Sequence, residues 1–424
     1  MRLIAILALT LFVFSTLPAG ALTWTTTTVD ASAGGAHSTT LKLDQSGRAH
    51  IGYVGGASTS DWAVKYAVSN GTPWDLTAGS SWSTDDVAIG SYASMDVTAG
   101  GTPHFSYRGE EVGVTTGTLQ YATGSIGSWN TALVHSGGFP SYTGSSLALD
   151  NDDTPHIAFL KANGAEHRYA SLGTGGAWSD VLLGSGIYWA STGRDMVFDS
   201  DNNMQIAYTT RGGNEAYHVR YAKFDNLGTT NLGSSTLFTW VGGDPKTSFQ
   251  DIAIDVGAND RPHVAYGLGS IQNYTGKEGL HYYRWQDADS SWHDDIVYHA
   301  GQQVVLPFSV VLDWQDTAHF LFWEHGLYYG RLNESGLIGT PELIPDAGHW
   351  GQGATGSLAI DDSGAAHIAF VSVSGSELNY AWAPDAAPAK PSGGEVTPEL
   401  PSGALLILSA LPIGLVWWRR NKIA

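Results

Sequence analysis

A histidine returns six times in the same short phrase, at His50, His104, His156, His263, His319 and His367, and Gln205 takes the matching place in a seventh copy. Imidazole is the commonest metal ligand, so a repeated histidine raises the question of a metal ring. One ligand per repeat would spread the set over tens of ångströms, whereas zinc needs its donors at about 2 Å. The spacing therefore points to structural histidines bonded to neighbouring turns. Asp44, Asp150, Asp199, Asp313 and Asp361 each lie six residues before the marker, and Asp255 lies eight before, within what reads as a longer turn. The second copy has Thr98 at that place. These aspartates read as turn caps.

Arginines and tryptophans offer a second chemistry. Arg108 and Arg211 each follow a second strand, in SYR and YTTR, and Glu110 and Glu111 stand beside the first of them. A sialidase would need an arginine triad, a carboxylate and a tyrosine nucleophile. The third arginine and the Ser-x-Asp-x-Gly-x-x-Trp box are missing. A two-carboxylate glycosidase or a lyase with a His/Tyr pair stays open, because distance along the chain does not give distance in space. Of the 16 tryptophans, Trp62, Trp189, Trp240, Trp323 and Trp350 fall in or beside loops after second and fourth strands. Indole rings in such loops can stack on sugar faces. Trp189, Arg211, Arg108 and Trp350 are the expected ligand contacts: two stacking surfaces and two donors for carboxylate or hydroxyl groups. The residues favour a non-catalytic module binding a carbohydrate or other surface polymer. A carbohydrate-active enzyme and a purely structural surface protein are the alternatives.

These residues need a scaffold, and the repeats supply it. The phrases AHIGY, PHFSY, PHIAF, MQIAY, PHVAY, AHFLF and AHIAF place their markers at 50, 104, 156, 205, 263, 319 and 367, with spacings of 54, 52, 49, 58, 56 and 48. A third strand follows each marker, as in VKYA, LQYA and HRYA, and several fourth strands open on a tryptophan, at Trp82, Trp129, Trp178 and Trp292. Four short antiparallel strands repeated seven times predict an all-β chain, a seven-bladed β-propeller over 22–384. The last copy lacks a fourth strand, whereas Trp24-Thr25-Thr26-Thr27-Thr28-Val29 has that form. The N-terminal strand is therefore expected to complete the last blade, which also removes an exposed edge. The pattern resembles secreted prokaryotic seven-bladed propellers built on Asp-x-x-Gly-x-x-His-Ile-x-Tyr repeats, loosely akin to sialidase-type propellers. That resemblance speaks to the fold.

Composition limits the partners. With 20 Lys+Arg against 40 Asp+Glu the net charge is −20, which argues against nucleic acid, whose phosphates need a basic face. There are no cysteines, so thiolate chemistry and disulfides are excluded. No cofactor is expected: Ca²⁺ suits an acidic chain, but neither an EF-hand nor a Gly-Asp nonapeptide run is present.

Both ends read as addresses. Residues 1–21 form a signal peptide: Arg2, an apolar run from Leu3 to Phe14, then Ala19-Gly20-Ala21 as the cleavage site. Residues 385–399 have the Pro/Gly/Ala composition of a flexible linker, and 400–424 form a transmembrane or sorting tail. In the tail, 403–418 are apolar and Arg419-Arg420-Asn421-Lys422 form a basic stop. Sixteen helical residues span only about 24 Å against a hydrocarbon core of about 30 Å. An acid-proline motif, a brief apolar helix and terminal arginines resemble the PEP-CTERM sorting signals, here with Pro398-Glu399-Leu400-Pro401. That resemblance implies an exosortase- or archaeosortase-type processing enzyme, with membrane attachment through the tail as the plain alternative. The expected location is outside the cytoplasm, at the cell surface.

Overall fold

The computed structural model describes residues 21–34, 37–56, 61–71, 82–109, 117–139, 144–161, 166–185, 194–211, 216–241, 252–268, 279–286, 289–299, 306–333, 336–347, 355–372 and 376–391. Strand β1 is Thr25–Asp30. The first unit holds β2 (His37–Leu43), β3 (Ala49–Gly55), β4 (Ala63–Ser69) and the start of β5 (Trp82–Val97). The end of β5 opens the second unit, followed by β6 (Pro103–Gly109), β7 (Gly117–Ser125) and β8 (Ser128–Phe139). The third is β9 (Ser146–Leu149), β10 (Pro155–Lys161), β11 (Glu166–Leu172) and β12 (Trp178–Ser185). The fourth is β13 (Arg194–Phe198), β14 (Met204–Arg211), β15 (Ala216–Phe224) and β16 (Asn231–Val241). The fifth is β17 (Ile252–Val256), β18 (Pro262–Leu268), β19 (Gly279–Gln286) and β20 (Ser291–His299). The sixth is β21 (Leu306–Leu312), β22 (Ala318–Trp323), β23 (Leu327–Asn333), β24 (Gly336–Leu337) and β25 (Glu342–Leu343); the seventh is β26 (Gly356–Ile360), β27 (Ala366–Val371) and β28 (Leu378–Ala383).

The chain is all-β, built from four-stranded antiparallel sheets in which most strands pair with their sequence neighbours. β5 belongs to two of them, pairing with β4 along its first half and β6 along its second. In the sixth unit the outer strand is split, because Pro341 cannot donate to the ladder between β24 and β25. β1 pairs with β28, Thr25 opposite Trp382 and Thr28 opposite Asn379, so the last sheet takes its fourth strand from the N-terminal segment.

Second strands such as β3, β18, β22 and β27 are buried at every residue, which requires cover on both faces. Neighbouring sheets supply it. Tyr66 and Val68 of the first unit pack with Met95, Phe105 and Tyr107 of the second. Leu41, Ile51 and Tyr53 pack with Ala369, Val371 and Tyr380 of the seventh. First strands touch in the order β2, β5, β9, β13, β17, β21, β26, and β26 touches β2.

The turns between first and second strands explain the recurrent aspartates. Asp44 Oδ1 accepts from Ser46 N and Arg48 N, both at 2.9 Å, and Asp150, Asp199 and Asp313 hold their turns in the same way. Three residues before each marker the backbone is left-handed, at Gly47, Gly101, Asp153, Asn202, Asp260, Asp316 and Gly364. Glycine, Asn and Asp tolerate that conformation best. The Asx members also link units: Asn151 N donates to Asn202 Oδ1, Ser200 N to Asp260 Oδ1 and Ala258 N to Asp316 Oδ1. Asp255 departs from the expectation. It lies inside β17 opposite His263, and Gly257 holds the turn position.

At the C-terminal side, Ala386 and Ala387 are buried, and Arg331 Nη1 and Trp314 Nε1 donate to the carbonyls of Ala386 and Pro388. The compact unit thus reaches Pro388, beyond the boundary at 384 read from composition. Residues 1–20 and 392–424, the bulk of both address segments, lie outside the described residues. No helix among the described residues is long and apolar enough to cross a membrane.

Candidate functional site

The marker histidines sit in buried relays. His50 Nε2 lies 3.1 Å from Asp44 Oδ2, and its Nδ1 lies 2.6 Å from the Tyr66 hydroxyl. An ionised aspartate accepts, so Nε2 carries the proton and Nδ1 accepts from tyrosine. Asp150–His156–Tyr169, Asp313–His319–Tyr329 and Asp361–His367–Tyr380 repeat the arrangement. Burial pushes the pKa of His50, His156 and His319 down, keeping the rings neutral near pH 7. These groups belong to the scaffold. Among the described residues, no three His, Cys, Asp or Glu side chains are grouped to hold a metal ion.

The expected contact residues fare unevenly. Trp189 and Trp350 lie outside the described residues, as do Glu110 and Glu111. Arg211 ends β14 opposite Tyr217, and its side chain is also outside the description. Arg108 is half-buried on β6, between Ser91 and Leu119 in the ladders. Its side chain lies over Gly117, where an added Cβ would stand 2.4 Å from Nε. Trp323 is 3% exposed and acts as core.

At the same end of the sheets, where 2–3 and 4–1 connections run, three rings gather between the first two units. The His37 ring is 4.5 Å from Trp62 and 6.2 Å from Tyr92, centroid to centroid. Gly90 N donates to the Trp62 carbonyl at 3.2 Å, tying β5 to the start of β4. Ser38 and Tyr92 each lie twelve residues before their markers and have positive φ, 52° and 54°. Both occupy irregularities in the ladders, where backbone strain re-aims a side chain. Sequence reading picked out Trp62 but missed His37 and Tyr92. Positive φ at serine and tyrosine has no sequence signal.

A second cluster faces the cavity between first strands, whose volume is about 510 Å³. Lys42 Nζ lies 3.4 Å from Asp96 Oδ1, and Asp195 and Asp255 also act on its charge. Asp96 raises the Lys42 pKa. Each aspartate reaches the backbone of the next unit: Asp96 accepts from Leu149 N at 2.9 Å, Asp195 from Ile254 N at 3.1 Å, Asp255 from Leu312 N at 2.7 Å. They satisfy the edges of neighbouring first strands, which lack a ladder partner on that side. Burial raises the Asp195 pKa and pushes Asp255 up to about 6.

No family model matches the chain, and no curated protein matches it. Solved structures do. A polysaccharide lyase of family PL25, an ulvan lyase bound to -[GlcA(1-4)Rha3S]-, aligns over 83% of this chain and 94% of its own, with 13% identity and a TM-score of 0.53. A second structure of a PL25 ulvan lyase covers 82% and 94% at 12% identity and a TM-score of 0.52. At these identities the likeness concerns the fold alone: a β-propeller.

Proposed function

We propose that the seven units form a seven-bladed propeller closed by β1, and that it engages a polysaccharide at the end carrying the 2–3 and 4–1 connections. The cyclic order of first-strand contacts and the β1–β28 pairing support the ring. The His37–Trp62–Tyr92 cluster carries the binding reading. Aromatic faces pack on the apolar faces of sugar rings, and a nearby imidazole or guanidinium bonds hydroxyl or carboxylate groups. Arg108 belongs to the same end, and the site extends in this reading to Trp189, Arg211 and Trp350. Trp62→Ala and Trp189→Ala should each weaken binding by about two- to tenfold on a glycan array, the scale of one lost stacking contact. Unchanged binding in both, with loss on altering the turn at 44–50, would place the site at the other end.

A second reading is cleavage by β-elimination. It is favoured by the polysaccharide lyases among the fold neighbours and by a histidine beside a tyrosine, the equipment for proton abstraction and return. Growth of ultraviolet absorbance from an unsaturated uronate on incubation with acidic polysaccharides would select it over pure binding. The location follows the ends of the chain: export by residues 1–21, then retention at the cell surface through 400–424, by processing or as a membrane anchor. Intact mass spectrometry of surface protein tests it. A mass that includes Ala424 would leave the plain anchor.

A further inference from the structure

Glu342 occupies β25, the short outer strand of the sixth unit, opposite Tyr329. Its Oε2 accepts two bonds from the N-terminal segment, from Leu22 N at 3.0 Å and Trp24 Nε1 at 3.3 Å. The Trp24 ring meets Tyr329 edge-on at 5.3 Å. One carboxylate oxygen therefore fixes where β1 begins, and Leu22 directly follows the small-residue site Ala19-Gly20-Ala21. We infer that hydrolysis of the Ala21–Leu22 bond during export creates an α-ammonium at Leu22 which Glu342 captures as an ion pair. The inference rests on the signal-peptide reading above.

The step is a peptidase hydrolysis. The Ala21–Leu22 C–N bond breaks, the oxygen of water stays on the Ala21 carboxylate, and the Leu22 nitrogen is protonated. A neutral N–H donor thereby becomes a charged one at the position where the carboxylate already accepts. Charge-assisted bonds are roughly twice as strong as neutral ones. The titratable and charged groups around the pair are Glu342 itself and Tyr329 and Arg331 on β23, with His319 and Asp313 behind the Tyr329 hydroxyl. Burial raises the Tyr329 pKa and lowers that of His319, so neither titrates in the range of an α-amine.

The test uses the full chain, exported with its own signal and then purified. N-terminal sequencing should begin at Leu22. A start at Met1 removes the signal reading itself, and a start at any other residue overturns the capture alone. Glu342→Gln should lower the melting temperature by about 2 °C near pH 6.5, the scale of one partly exposed ion pair. The paired amine has a raised folded pKa, so its stabilisation is complete below about pH 7.7 and disappears as pH rises through that folded value. The difference should therefore vanish by about pH 10. Glutamine keeps an oxygen for Trp24 Nε1, so a Glu342 that serves only as a neutral acceptor would give a pH-independent difference and overturn the proposal. Selective acetylation of the mature α-amine should reproduce the loss without any substitution; an unchanged melt after acetylation overturns it as well.

Discussion

Lys223 Nζ stands 2.6 Å from Asp199 Oδ2, in the unit where Gln205 replaces the marker histidine. Gln205 Nε2 still reaches the same carboxylate at 3.0 Å, and Gln205 Oε1 accepts from the Tyr221 hydroxyl at 2.8 Å. The amide reproduces both bonds of the imidazole, and the lysine adds a cation. The Asp199 side chain is fully buried. Lys223→Met should cost about 1–3 kcal/mol in urea unfolding, because it leaves a buried carboxylate without its cation. Adding Asp199→Asn should recover part of that loss. A single substitution that changes nothing would mean the turn bonds alone carry the charge.

His263 should give the fold an acid-sensitive slope. Gly257 takes the place of the capping aspartate, and burial lowers the His263 pKa to about 3, with Arg261 and Arg284 adding to it. The unfolded chain binds its proton near pH 6.5 while the native state refuses it. Stability is therefore whole above that value and falls as pH drops toward the folded pKa, by about 2 kcal/mol on reaching roughly pH 5. His263→Gln should flatten this part of the profile in denaturation measured across those pH values. Equal slopes for parent and variant would show that the ring is solvated in the native state.

Asp255 should act with the opposite sign. Its pKa is pushed up to about 6, so between the ordinary carboxylate value and that point the native state holds more protons than the unfolded chain. Stability contributed by the neutral form is lost as pH rises through the window. Leu312 N and Val256 N bond to different oxygens of Asp255, so Asp255→Asn keeps an acceptor for one of them only, but has no charge to desolvate. It should lose the pH dependence, and its stability near pH 7 should stay within about 1 kcal/mol of the parent's, the lost acceptor offset by the charge no longer buried. Clear destabilisation at neutral pH would mean that the charge pairing with Lys42 outweighs its burial.

The repeats were legible because the same physical demand recurs seven times. A second strand covered on both faces must be apolar apart from its hydrogen-bonded polar groups such as the marker, and its hairpin must hold a left-handed residue three positions before the marker. Asp255 misled because its residue type matched the turn caps while its register, two positions earlier, placed it in the strand facing the cavity. The rim was hardest to read. Trp62 stood out by type, but His37 meets it across the strands of the first unit and Tyr92 joins only because the second unit lies alongside, and no local pattern encodes either approach. Lys42, Asp96 and Asp195 met for the same reason.

Removal of β1 should expose how far the last sheet depends on the N-terminal segment. Val29 is buried in the cluster shared with Ala369, Val371 and Tyr380, and the Tyr53 hydroxyl donates to Asp30 Oδ2 at 2.7 Å. Along the strand, Thr25 to Thr28 pair with Trp382 to Asn379. Starting the exported chain after residue 30 therefore removes a ladder, the Trp24–Tyr329 contact and the partner of a buried tyrosine. It also leaves β28 as an open edge. The melting temperature should fall by several degrees, about 2 °C for each kcal/mol lost in a domain of this size or larger. A synthetic peptide of residues 22–30 should restore part of the loss by re-forming the ladder. A truncated chain as stable as the parent would mean that β28 tolerates its open edge and that β1 does not close the fold.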